Sequence, residues 1–250
     1  MSLFDIFDPV SEEILKPAHM IRPADGFPDT VVLTFEEKSL QALQKGWETR
    51  VAATLSGGRP IPVYALTHSG RELGMAQTLI GGAATAALME ELLALGAKRV
   101  LLYGSCGVLD ASLTAGRLIL PTAACRDEGT SYHYLPPADY VDIPTAERLG
   151  EIFDELGLPY VKGRVWTTDA IYRETRANVE KRRADGCIAV DMECASAMAV
   201  GRFRGAEVYQ FLYAEDSLDG ADWDPRTWGA VPASDYEKYL RLALEAAARL

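Results

Sequence analysis

Runs of apolar, largely β-branched residues alternate along this chain with segments of helical character, and that alternation limits the fold more than any other feature. Thr30 to Phe35 (TVVLTF) reads as a buried strand, followed by a helix from Glu36 to Trp47 with Leu40 and Leu43 as its apolar positions. A turn is expected at Ser56 to Gly58, with strands at Val63 to Leu66 and Leu73 to Ile80. Gly81 and Gly82 open an alanine- and leucine-rich helix that Gly96 closes as its C′ residue. Lys98 to Gly107 (KRVLLYGSCG) reads as a strand ending in a tight small-residue turn, and GRLILPTAAC as another strand. Helices at Thr145 to Leu156 and Arg176 to Ala184 flank a strand from Tyr160 to Trp166. A strand at Ile188 to Asp191, a helix from Glu193 to Phe203, a strand at Glu207 to Ala214 and a helix from Asp235 complete the series.

Such a series implies an α/β fold with a mixed, largely parallel sheet covered on both faces, where ligands sit beyond the carboxyl ends of the strands. No repeat or linker divides the chain, so residues 1–250 are read as a single domain. A formal net charge of -11 opposes binding to nucleic acid or to an anionic membrane, and any anion must be held locally. Cys106, Cys125, Cys187 and Cys194 form no CxxC pair, which argues against a zinc site or disulfide framework and for reduced thiols in the cytoplasm. The opening MSLFDIFDPVSEEILKP has neither a basic n-region nor a continuous apolar run, and a soluble protein is expected.

Three expected strand ends carry chemistry. The Gly104-Ser105-Cys106-Gly107 turn offers backbone N–H groups and a hydroxyl to an anion or a sugar hydroxyl, or is simply a tight turn. Asp191 and Glu193, either side of Met192, are acceptors suited to a diol such as a ribose; Asp191 equally suits the amino end of the following helix. Glu215 and Asp216 end the apolar strand VYQFLYA, where a partly desolvated acid has its pKa raised and can protonate a leaving group.

In this order the motifs resemble those of the nucleoside phosphorylase family, which includes purine nucleoside and uridine phosphorylases and the related nucleosidases. The matching text is GGAATAALMEELLALGAKRVLLYGSCGVL, WTTDAIY, AVDMECASAMAVGRFRG and FLYAEDSLDG, spaced from about Asp29 to Asp219. The resemblance implies a three-layer α/β/α sandwich around a mixed sheet, and cleavage of the N-glycosidic bond of a nucleoside with phosphate as co-substrate and no metal or organic cofactor. By it, Glu193 binds the ribose hydroxyls with Met192 packed beneath the sugar, and Ser105 touches phosphate. Asp216 protonates or hydrogen-bonds the base, which suits a purine. Ile171 or Tyr172 packs against the base, and His19 reaches a neighbouring subunit's sugar in a homo-oligomer, dimer or hexamer. His133, in the polar and aromatic run RDEGTSYHY, is a candidate for the pocket edge. Trp223, Trp228 and the DWDPR segment read as a packed loop.

The pattern breaks at the phosphate site. Where the phosphorylases carry a glycine-aspartate-proline loop with an arginine, this chain has Thr34-Phe35-Glu36-Glu37-Lys38-Ser39, and Leu102 replaces a second arginine. A phosphate dianion in a pocket needs charge-assisted donors, and Arg50, Arg126 and Arg173 are the candidates to replace them. The nucleosidases use a glutamate in this first loop to activate water, a loose match to Glu36 or Glu37. Hydrolysis and a non-catalytic nucleoside-binding protein are therefore the alternatives.

Overall fold

Alternate residues of the central strands supply two separate cores, one on each face of a single sheet. The computed structural model describes residues 6–56 and 59–250. In β1 (Thr30–Thr34) and β5 (Arg99–Val108), Val31, Leu33, Val100 and Leu102 face α2 (Gly82–Leu95) and α7 (Cys194–Arg204), meeting Met89, Leu92 and Val200. Val32, Leu101 and Tyr103 face the other way. They meet Leu43 of α1 (Glu37–Gly46), Phe153 of α5 (Thr145–Glu155) and Leu240 and Leu244 of α8 (Ala233–Ala248). The period of two along each strand thus makes the three-layer sandwich expected from the motifs.

The remaining strands are β2 (Thr49–Leu55), β3 (Ile61–His68), β4 (Arg71–Gln77), β6 (Leu118–Asp127), β7 (Tyr140–Asp142), β8 (Tyr160–Thr168), β9 (Cys187–Asp191) and β10 (Glu207–Ser217). Their order is β10-β6-β8-β9-β5-β1-β4-β3-β2, with β7 beside β6. An additional pairing of β10 with β5 closes β5, β10, β6, β8 and β9 into a ring, from which β1, β4, β3 and β2 extend as an open wing. Two four-residue helices, α3 (Ala111–Thr114) and α4 (Ser131–Tyr134), and α6 (Arg176–Ala184) complete the fold. None of the helices among the described residues is long and apolar enough to cross a membrane.

Two local expectations change. Gly104 to Gly107 are not a turn: they lie inside β5, because β10 and β9 supply ladder partners there. The sequence reading also passes over β2, an edge strand whose outward residues remain exposed and whose pattern is therefore not apolar. Of the turn expected at Ser56 to Gly58, residues 57 and 58 lie outside the described residues.

Candidate active site

The sheet parts where β5 changes neighbours. Its pairing with β1 ends at Thr34↔Tyr103, and its pairing with β9 begins at Gly107↔Val190. Between those points Gly104, Ser105 and Cys106 are paired with β10 alone. Such a switch point leaves a crevice at strand ends. One lip is Phe35 and Glu36, which follow β1, and the other is Asp191, Met192 and Glu193, which end β9 and lead into α7. On the far flank β10 carries a bulge: Ala214 pairs with Cys106 and Asp216 with Gly107, so Glu215 is the extra residue and the strand is re-aimed there. The Cys106 thiol is accordingly pushed well up in pKa, first by burial and then by the surrounding Asp191, Asp216 and Glu215.

The two acids of the β9 lip do different work. Asp191 is fully engaged within the protein: Oδ1 accepts from Thr167 Oγ1 at 2.7 Å, and Oδ2 from the amides of Cys194 at 2.7 Å and Glu193 at 3.3 Å and from Gln210 Nε2 at 3.4 Å. Those amides are the orphan donors at the start of α7, so Asp191 holds the helix entry. Glu193 is buried too, and its Oε1 accepts from the Gly81 amide at 2.6 Å. Burial, with the neighbouring Asp191 charge, raises its pKa, opposed by the amides of Gly81 and Met192.

Asp216 is buried, and its Oδ2 accepts from Trp223 Nε1 at 2.6 Å. Burial raises its pKa, opposed by the Trp223 bond, and Glu215 raises it further. Glu36, half-buried on the β1 lip, is raised by burial and by Glu215.

The other candidates are scattered. Ser105 lies in the crevice strand, and its hydroxyl makes no hydrogen bond among the described residues. Gly104 is covered: a Cβ there would meet Phe35 Cδ2 at 2.7 Å, so the ring excludes a ligand from that face. Tyr172 is 94% exposed on the short 3-10 helix Ile171–Arg173, which leaves the partly buried Ile171 as the inward residue. His133 is exposed on α4 and lines a surface groove with Glu12, Lys16 and Phe203. His19 is exposed, its Nδ1 accepting from the Lys16 amide at 3.3 Å.

Arg126 is not available to an anion in the way expected. It is buried, with Nε donating to Ser131 Oγ at 2.7 Å, Nη1 to Pro136 O at 2.7 Å and Nη2 to Leu135 O at 3.3 Å. Arg50 lies on the edge strand β2 and pairs with Glu72. Of the three arginines, Arg173 alone has no side-chain hydrogen bond or ion pair among the described residues.

Three residues escaped the sequence reading. Glu174, just before α6, is raised to about 7 by burial and by the charge of Asp216, and nothing in the run Tyr172-Arg173-Glu174-Thr175 signals that environment. Arg226 has φ 43°, a left-handed conformation that a non-glycine residue adopts only under constraint, and its guanidinium favours the charged form of Asp216. Trp223 was legible only as packing.

The Glu174 environment fixes a sign. Its folded pKa lies above the ordinary 4.5, so the folded state keeps a proton that the unfolded chain releases, and stability falls as pH rises from about 4.5 to about 7. Glu174→Gln removes that loss. Its thermal midpoint is expected to exceed wild type at pH 8 and to converge with it near pH 5, read by calorimetry at both values.

A family model described as "Phosphorylase superfamily" matches residues 31–250. The chain belongs to that superfamily. Membership agrees with the family expected from its motifs and with the α/β fold. Among relatives within the phosphorylase superfamily, a guanosine phosphorylase of Halorubrum lacusprofundi is 26% identical over 200 residues, covering 77% of this chain and 82% of the relative. Solved structures share the fold. A uridine phosphorylase from Vibrio fischeri superposes with a TM-score of 0.75 at 21% identity, covering 96% of this chain and 100% of the other. An AMP nucleosidase from Bacteroides thetaiotaomicron gives 0.70 at 22% identity, covering 91% and 90%.

Proposed function

We propose that this member of the phosphorylase superfamily cleaves the N-glycosidic bond of a purine nucleoside, with phosphate as the acceptor. The observation that carries the reading is the split in the sheet at Gly104 to Cys106, bordered by Glu193 on the β9 side and by Asp216 beside Gly107. Glu193, anchored through Oε1 to the Gly81 amide, presents its other oxygen to the ribose hydroxyls. Asp216, whose protonated form burial favours, donates a proton to the base as the bond to the anomeric carbon breaks. The bond electrons leave with the base, and a phosphate oxygen forms the new bond to the sugar. The transition state has oxocarbenium character, so protonating the leaving group lowers the barrier without tightening ground-state binding. A purine suits a donor acid at its imidazole nitrogen, and one relative is named a guanosine phosphorylase. In this reading Ile171 packs on the base and Ser105 meets the phosphate. His19 and Arg50, exposed on the surface, belong to a homo-oligomer in which a neighbour completes the site.

A second reading, hydrolysis, is favoured by the lip formed by Phe35 and Glu36. The Phe35 ring fills the face of Gly104, and the half-buried Glu36 carboxyl, with its raised pKa, offers a phosphate no charge-assisted donor and suits a base that activates water. Release of free base from a nucleoside panel, followed with and without phosphate, separates the two. Phosphorolysis predicts a rate that rises with phosphate and a sugar 1-phosphate product. A rate indifferent to phosphate assigns the role to water, and ligand-induced stabilisation without any free base rejects both.

A further inference from the structure

The segment after β10 folds back on the strand and brings an indole to Asp216. Ser217 and Asp224 exchange backbone hydrogen bonds of 2.9 Å in both directions, and the Thr227 amide donates to Glu215 O at 3.1 Å. From the outside, Arg176 donates to Ala221 O at 2.6 Å and to Leu218 O at 3.3 Å, and Arg183 pairs with Asp219 at 2.7 Å. Within this frame Trp223 packs edge-on against Trp228, ring centroids 6.0 Å apart at 79°, and its Nε1 lies 2.6 Å from Asp216 Oδ2. Trp223 is nonetheless 54% exposed. Most of the ring contributes little to the core, whereas its one polar atom is aimed at a buried acid.

An indole N–H donates and cannot accept. An oxygen held by it behaves as the carbonyl oxygen of a neutral carboxyl, so the acidic hydrogen sits on the other oxygen. That other oxygen, Oδ1, lies beside Gly107, 3.3 Å from where a Cβ would stand, a place walled by Leu218 Cδ1 and Val190 Cγ1 at 2.7 and 2.9 Å. When Asp216 gives up its proton, the same N–H faces a carboxylate, and a hydrogen bond to a charged group is about twice as strong as one between neutral groups. The donor therefore stabilises the state after proton transfer more than the state before it.

We propose that Trp223 is the positioning residue of Asp216: its N–H holds Oδ2 as an acceptor, places the transferable proton on Oδ1, and supports the carboxylate left behind. The proposal rests on the reading of Asp216 as the proton donor to the base. The charged and titratable groups facing Asp216 from the surrounding elements are Glu215 on β10, Glu174 before α6, Arg226 in the same loop and the Cys106 thiol on β5.

The test is Trp223→Phe, which keeps the ring and removes the donor, assayed with guanosine and phosphate across pH. Activity requires protonated Asp216, so it declines as pH rises through that group's pKa. Loss of the N–H moves this decline upward by about one pH unit, while kcat drops about tenfold and KM stays within about twofold. Trp228→Phe disturbs the same ring pair but leaves the decline where it is, which controls for altered loop packing. Independently of turnover, the indole ¹H–¹⁵N resonance missing from Trp223→Phe is expected to titrate in the wild-type protein and to lose that titration in Asp216→Asn. A resonance that is flat in wild type, a titration that persists in Asp216→Asn, or an unmoved decline in Trp223→Phe overturns the proposal. If wild type releases no base, the functional reading fails, and the resonance still decides whether Trp223 positions Asp216.

Discussion

Asp216→Asn is expected to lower kcat for base release by about 10²- to 10⁴-fold, the usual contribution of a positioned general acid, with KM changed far less. The amide keeps the shape of the carboxyl and its oxygen can still accept the Trp223 N–H, so the crevice is preserved while the acidic proton is lost. Steady-state rates at fixed pH check this. The split between kcat and KM carries the information, because a variant that merely disturbed the fold would move both. Glu193→Gln provides the contrast. A carboxylate that grips the sugar in ground and transition states alike loses both binding and turnover when it is neutralised. Wild-type rates in either variant contradict the assigned roles.

The second large effect is structural and reaches the same site. A Cβ at Gly82 would stand 2.2 Å from Ser196 Oγ, and that hydroxyl is not free to turn away, because it donates to Glu128 Oε2 at 2.6 Å in a buried network. Glu128 also accepts from the Ser131 amide at 2.9 Å, and Ser131 Oγ in turn accepts from Arg126. Gly82→Ala therefore either forces α2 away from α7 or leaves a buried carboxylate short of a partner. Overpacking of this kind costs about 2 kcal/mol, or about 4 to 8 °C in the thermal midpoint of a chain this size. Calorimetry measures that loss. Retreat of the α2 start also draws the Gly81 amide from Glu193 Oε1, so nucleoside affinity is expected to weaken alongside stability. An unchanged midpoint would show that the two helices have room to spare.

The fold was legible in the sequence because periodicity reports burial. Leu102 and Tyr103 are neighbours in β5 facing opposite layers, and a strand buried on both faces must be continuously apolar, as VLLY is. β2 fails the same test: Arg50 and Val51 face solvent, so nothing in their pattern demands a strand. The candidate acids were legible as strand-end residues, since Glu193 and Asp216 come shortly after the apolar runs that close at Val190 and Ala214. Their surroundings were not. The bulge at Glu215 depends on how β10 registers against β5, and the arrival of Trp223 depends on a loop closed by Ser217 and Asp224. The fate of Arg126 was equally hidden. Its charge advertises an anion, but the carbonyls that consume it are nine and ten residues away and come near only through the path from β6 to α4.

The ring made by β5, β10, β6, β8 and β9 has a bearing on how the molecule is made. Its closing seam joins residues 99–108 to residues 207–217, the last of the ring's strands in chain order. Until that strand is made, β5 has one long hydrogen-bonding edge without its native neighbour, and the acid-bearing flank of the crevice does not exist. Closure across so many intervening residues carries a large loop entropy and slows folding. Assembly of the candidate site in this sense waits until β10 has been made, and the nascent chain must be kept from pairing that open edge with another copy of itself.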